Sequence, residues 1–195
     1  AGALEDAQER VRQNPNDADA HFGLGIAYGK SGQHQKAIAS YKQALRIWPD
    51  FTFAHLILGD AYSKSGQWQE AIASYKEALR IKPDYTYAHY GLGVAYDELG
   101  QYQDAIASYK EAIRIKPDLA EAHWGLGYVY NELGQYQEAI ASYKEALRIK
   151  PNLTVARNLL NKLEQKLAQA KPAPQFSDEE SNRLARERRL LEEER

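Results

Sequence analysis

The side chains best suited to metal binding or proton transfer near neutral pH are the five histidines of this 195-residue chain. Four of them, His21, His55, His89 and His123, stand 34 residues apart. A constant interval gives each its own structural layer, so the four cannot converge on one metal ion. His34 shares its column with Trp68, Tyr102 and Tyr136, which points to packing at the start of a helix. The segment GLGIAYGKSG, residues 23–32, invites comparison with a phosphate loop, whose Gly-x-x-x-x-Gly-Lys-Ser bends backbone amides around phosphates. Leu24 occupies the place of the first required glycine, and the next copies read Ser63-Lys64-Ser65 and Asp97-Glu98-Leu99, as a variable helix end would. Gly91 and Gly93 follow no strand, which removes a dinucleotide fingerprint. No cysteine is present, so thiolate nucleophiles, disulfides and thiolate zinc sites are excluded. No Gly-x-Ser-x-Gly or His-Glu-x-x-His occurs. The expectation is a protein without catalysis of its own, without a cofactor and without a metal.

The elements that carry these residues are repeated. Four segments recur at 34 residues, 18–51, 52–85, 86–119 and 120–153, each with AIASYK near its middle and a near-copy of EALRIKP at its end. At 44% hydrophobic and 27% charged residues the composition is that of a folded chain. The 25 basic and 27 acidic side chains leave a net charge of −2, which argues against nucleic acid as a partner. No apolar run approaches the ~20 residues of a membrane span, and AGALEDAQER at the start is not a signal peptide. A cytoplasmic location is expected. Methionine is absent even at residue 1, as in a segment excised from a longer chain.

Each unit reads as two helices. His21, Leu24, Gly25 and Tyr28 form an i, i+3, i+4, i+7 stripe that recurs from His55 onward. Gly32, Gly66, Gly100 and Gly134 end that first helix, because glycine accepts the left-handed conformation. Ala37, Ile38, Tyr41, Ala44, Leu45 and Ile47 form a second stripe, stopped before Pro49. The 34-residue period, the Leu-Gly-x-x-Tyr of the first helix, the turn glycine and the later Ala, Tyr, Ala and Pro resemble the tetratricopeptide repeat, with histidine where that family usually has tryptophan. The resemblance implies an all-α fold: a right-handed solenoid of helix-turn-helix repeats whose first helices line a concave, protein-binding groove.

The flanks extend that reading. Residues 1–17 resemble the second helix of a truncated repeat, with Leu4, Ala7 and Val11 on one face. Residues 154–170 form a capping helix, with Val155, Leu159, Leu160, Leu163 and Leu167 inward and Arg157 among the outward residues. A proline linker at 171–176 precedes a separate charged tail helix, 177–195, opened by a capping box at Ser177 and Glu180.

In the solenoid implied by the resemblance, the residues about 130° round the first helix from the Leu24/Tyr28 stripe face the groove, at about 100° per residue. They are Phe22 and Ile26, then Phe53, Leu56 and Asp60, then Tyr87, Tyr90, Val94 and Asp97, then Glu121, Trp124, Tyr128 and Asn131. Phe53 and Tyr87 are the ones most suited to packing against neighbouring repeats instead. The lysine, arginine and asparagine clamp of chaperone-binding members is absent. The column where other members place backbone-gripping asparagines is Gly23, Ile57, Gly91 and Gly125. An aromatic, mildly acidic trough suits an amphipathic helix with basic edges. Leu184, Leu190 and Leu191, with Arg188 among them, make the tail a candidate ligand and self-association a candidate outcome. The function expected is a scaffold for protein or peptide partners; the alternatives are the substrate-docking arm of a larger enzyme and a self-assembling structural protein.

Overall fold

The computed structural model describes residues 2–170 and positions 182, 183, 185 and 186. Among them are ten helices and no strand: α1 (Ala3–Gln13), α2 (Ala18–Lys30), α3 (His34–Ile47), α4 (Thr52–Lys64), α5 (Trp68–Ile81), α6 (Thr86–Glu98), α7 (Tyr102–Ile115), α8 (Ala120–Glu132), α9 (Tyr136–Ile149) and α10 (Thr154–Gln169). The chain divides into one unit, Ala1–Leu160, and a second, Asn161–Arg195. In the second, α10 runs on to Gln169, and Asn182, Arg183, Ala185 and Arg186 are helical and exposed. The linker expected at 171–176 and most of the tail expected at 177–195, with Leu184, Arg188, Leu190 and Leu191, lie outside the described residues.

Local chemistry sets each helix pair. The first helix of every repeat ends in a Schellman turn, in which Gly32, Gly66, Gly100 and Gly134 take φ of +76°, +70°, +69° and +73°. In the first of these turns the Gln33 amide donates to the Tyr28 carbonyl at 2.9 Å and the Gly32 amide to the Gly29 carbonyl at 3.1 Å. An L side chain at the glycine would be strained, so the turn fixes where the chain reverses. The second helix stops at Ile47, Ile81, Ile115 or Ile149, two residues ahead of a proline that disfavours helical geometry in its predecessor.

The repeats then stack through small residues. Ala44, Ala78, Ala112 and Ala146 on the second helices, and Ala54, Ala88 and Ala122 on the first, are fully buried and let the helix backbones approach closely. Each first helix packs on the second helix of its own repeat and on that of the repeat before, so the first unit is an α-solenoid. α4 also touches α6, and α6 touches α8, while the second helices make no comparable contact. The first helices therefore line the inner, shorter face.

The histidine column bonds one layer to the next. Nε2 of His21, His55, His89 and His123 bonds the carbonyl of Pro15, Pro49, Pro83 and Pro117 at 2.7, 2.7, 2.9 and 2.8 Å. Each ring N–H thus satisfies a carbonyl beyond the end of the preceding helix. In α10 the same column holds Arg157, whose Nη2 donates to the Pro151 carbonyl at 2.6 Å. Two expectations are corrected. Val155 is 53% exposed, and the buried residues of α10 are Ala156, Leu160 and Leu163. His34 is exposed and does not pack as Trp68 and Tyr102 do against their cores.

Candidate functional site

The inner face is built on a tyrosine that wedges successive repeats together. Tyr75, on α5, is 2% exposed, and its ring fills the space left by two glycines. A Cβ on Gly59 of the same repeat would stand 2.6 Å from Tyr75 Cε1, and one on Gly91 of the next repeat 2.5 Å from its Cζ. Tyr109 is held in the same way between Gly93 and Gly125. The glycines at 91 and 125 are therefore seats for aromatic rings.

The Tyr75 hydroxyl reaches through this seat to the inner face, where it donates to Asp60 Oδ1 at 2.7 Å and lies 3.1 Å from Ser63 Oγ. Burial holds the Asp60 carboxyl above its ordinary pKa, while the Tyr75 hydroxyl and the Lys64 charge pull it back. The Tyr75 hydroxyl is pushed up by burial and by the Asp60 charge. One repeat on, burial and then the charges of Glu98 and Glu132 lift Asp97 to about 6. Among the described residues the Asp97 side-chain carboxylate accepts no hydrogen bond, while its backbone carbonyl accepts the Gly100 amide at 2.8 Å. Glu121 already pairs with Lys150 at 3.2 Å. Of the three acids expected to meet basic ligand edges, Asp97 alone offers an unbonded carboxylate.

The thirteen expected groove residues separate by depth. Phe53 and Tyr87, expected in the groove with packing against neighbouring repeats as the alternative, are 46% and 50% exposed. Leu56 is corrected in the opposite sense: at 5% exposure it sits in the core with Tyr75, Ala88 and Leu92. Phe22, Tyr90 and Val94 are half-buried against the cores beneath them. Ile26, Trp124, Tyr128 and Asn131 are also half-buried. Trp124 lies 6.3 Å from Tyr128 between ring centroids, and its Nε1 is buried without a hydrogen-bond partner among the described residues.

Two of the recesses on this face lie between successive first helices. One, of about 410 Å³, lies between α2 and α4 and is lined by Ile26, Tyr41, Phe53, Ile57, Asp60 and Lys64 among others. The next, of about 400 Å³, lies between α4 and α6 and is lined by Leu56, Asp60, Tyr75, Tyr87, Tyr90 and Val94 among others. The floor is aromatic and aliphatic, the rim charged. Sequence reasoning missed the lower rim, where Lys30 and Lys64 in the first two repeats give way to Glu98 and Glu132 in the last two; reading that column alone would have found it. Among the described residues no cluster of histidine and carboxylate side chains could hold a metal ion, and no helix is long and apolar enough to cross a membrane.

Comparison with known proteins agrees with this architecture. The family described as "Tetratricopeptide repeat" matches residues 18–51 and 120–153, and "TPR repeat" matches 59–100 and 96–134. No curated protein sequence matches the chain. Among solved structures, a crystal structure of MamA shares 30% identity at a TM-score of 0.73, covering 77% of this chain and 88% of its own. A second MamA crystal structure shares 28% identity at a TM-score of 0.70, covering 88% and 86%. Residues 41 to the end of MamA from Desulfovibrio magneticus RS-1 share 23% identity at 0.72, covering 77% and 85%, a likeness of fold.

Proposed function

We propose, from the premise that the chain belongs to the tetratricopeptide-repeat family and is a scaffold for protein–protein interaction, that its inner face binds an amphipathic helix of a partner. The observation that carries this reading is the pair of exposed aromatics, Phe53 and Tyr87, each beside an apolar recess on successive first helices. Packed helices stand about 8–10 Å apart. A ligand helix rising about 1.5 Å per residue would therefore present anchors seven residues apart to successive recesses. Its basic edge would meet Asp97, the one unbonded acid of the three.

The tail is a second candidate for the occupant. Leu184 and Leu191 are seven residues apart, and Arg186, Arg188 and Arg189 lie between them, so a second copy of the chain carries a ligand of the required form.

The test is Phe53→Glu with Tyr87→Glu. Both rings are about half exposed, so the double variant should keep its helical circular dichroism while losing a leucine-anchored helical peptide by at least about 100-fold, as paired hot-spot losses do. Unchanged affinity in the folded variant would refute the reading. Removal of 177–195 with no change in self-association would refute the tail as occupant.

A further inference from the structure

The repeats act as controls for one another, and one position departs from the rest. The residue that follows each second helix is Lys82, Lys116 or Lys150 in the later repeats and Trp48 in the first. Each of those lysines is engaged within the chain. Lys82 lies over the Tyr85 ring at 5.0 Å, Lys116 over the Tyr87 ring at 5.7 Å, and Lys150 on Glu121 at 3.2 Å. Tyr87 and Glu121 both precede their lysine by 29 residues. The same register counted back from Trp48 (48 − 29 = 19) places Asp19 there. Along the four repeats this register position is Asp19, Phe53, Tyr87 and Glu121, so the first repeat has an acid there and a π face where the others supply a cation.

That π face is open. Trp48 stacks on Phe51 at 4.5 Å with an interplanar angle of 22°, and remains 48% exposed. From there the rings continue inward, Phe51 to Phe22 at 5.0 Å and Phe22 to Phe53 at 5.6 Å. Among the described residues no lysine or arginine lies over Trp48, whereas Lys36, Lys76, Lys82, Lys110 and Lys116 each lie over a tyrosine. Neighbouring Asp50 is already paired with Arg80 at 3.1 Å. Asp19 is exposed.

We propose that Trp48, with Asp19, receives an arginine side chain from a bound peptide, and that Phe51, Phe22 and Phe53 receive the apolar residues beside it. Tryptophan is the strongest π partner for a cation, and a planar guanidinium stacks on an indole while donating to a carboxylate at its edge. A lysine fits less well, since its ammonium is a strongly hydrated point charge. The proposal rests on the peptide-binding reading of the inner face, with which it shares Phe22 and Phe53. It adds the chemistry that places one end of the ligand at repeat 1.

The probe is a short acetylated and amidated peptide built from the triplet Leu-Ala-Arg, compared with its citrulline counterpart, which keeps the shape and loses the charge. Binding to the full chain is read by fluorescence anisotropy of labelled peptide. Trp48→Lys installs the residue that three other repeats carry, so its helical circular dichroism and melting temperature should match the parent. Against the parent, the arginine peptide should bind roughly tenfold more tightly than the citrulline peptide, the scale of one cation–π contact joined to a carboxylate. Trp48→Lys should erase that preference, and Asp19→Asn should reduce it. Failure of the arginine peptide to bind, equal binding of the two peptides, or a preference that survives Trp48→Lys overturns the proposal. Tyr87→Glu separates the two readings. If it abolishes binding while Trp48→Lys leaves the preference intact, the groove stands and the arginine seat falls. If the reverse is seen, the seat stands and the groove assignment falls.

Discussion

Tyr75→Phe deletes a single oxygen and tests how the repeats are joined. The ring would stay in its seat between Gly59 and Gly91, but Asp60 would lose the hydroxyl that donates to Oδ1 at 2.7 Å. A hydrogen bond to a charged group contributes about 1.5–3 kcal/mol, and the stranded carboxylate is only half-buried, so a loss of ~2 kcal/mol is expected. In a protein of this size that lowers the melting temperature by about 4–8 °C. The loss should also depend on pH. Burial already holds the Asp60 carboxyl above its ordinary value, with the Tyr75 hydroxyl opposing the rise, so the variant's carboxyl lies higher still. A carboxyl raised in the folded state costs stability above its folded pKa, and that cost disappears as acid protonates it. The gap between parent and variant should therefore be widest near neutral pH and narrow on acidification. Urea denaturation across this range, monitored by circular dichroism, measures it. The same column supplies the control: the Tyr143 hydroxyl is buried with no partner among the described residues, so Tyr143→Phe should be neutral or stabilising. A loss below ~0.5 kcal/mol for Tyr75→Phe, or one that grows in acid, would refute the argument.

Further outcomes follow from the same geometry. Gly91→Ala should destabilise by ~1–3 kcal/mol, because its Cβ would meet the Tyr75 ring. Gly23→Ala, with open space around that site, should stabilise by up to ~1 kcal/mol through helix propensity, and thermal melts compare the two. His89→Ala should lose ~1 kcal/mol with the bond to the Pro83 carbonyl, read as a lower denaturation midpoint with an unchanged slope. Asp97, raised from 3.8 to about 6, makes the fold more stable as pH falls through that interval. Asp97→Asn should remove this pH dependence and add ~1 kcal/mol at neutral pH; the shift taken in full corresponds to about 3 kcal/mol, discounted because the carboxylate is partly exposed and screened by solvent.

Much of the fold is legible in the sequence because the repeat states it four times. The turn glycines, the prolines and the alanine columns each have one local meaning, and each recurs. The histidine column is recognisable as structural from its interval alone. Its hydrogen bond to a proline carbonyl is not, since that depends on how one layer is set against the next. The groove is harder for the same reason. Angular position on an isolated helix puts Leu56 and Phe53 on a common arc, yet the neighbouring repeat covers Leu56 and leaves Phe53 about half exposed. The seat of Tyr75 on Gly91 joins residues of different repeats, although a signal for it exists: glycine at 91 and 125 follows the tyrosine of the preceding repeat, while Ile57 follows Tyr41. Trp48 is conspicuous only once the lysines of the other repeats are seen to be engaged.

The central claim is that the first-helix face receives a partner helix. Amide chemical-shift mapping of the full chain with an amphipathic peptide bearing leucines seven residues apart tests it most directly. The account predicts perturbations along α2, α4 and α6, centred on Ile26, Phe53 and Tyr87, with the outward residues of α5 and α7 unmoved. Perturbations confined to the second helices, or none at saturating peptide, would contradict it.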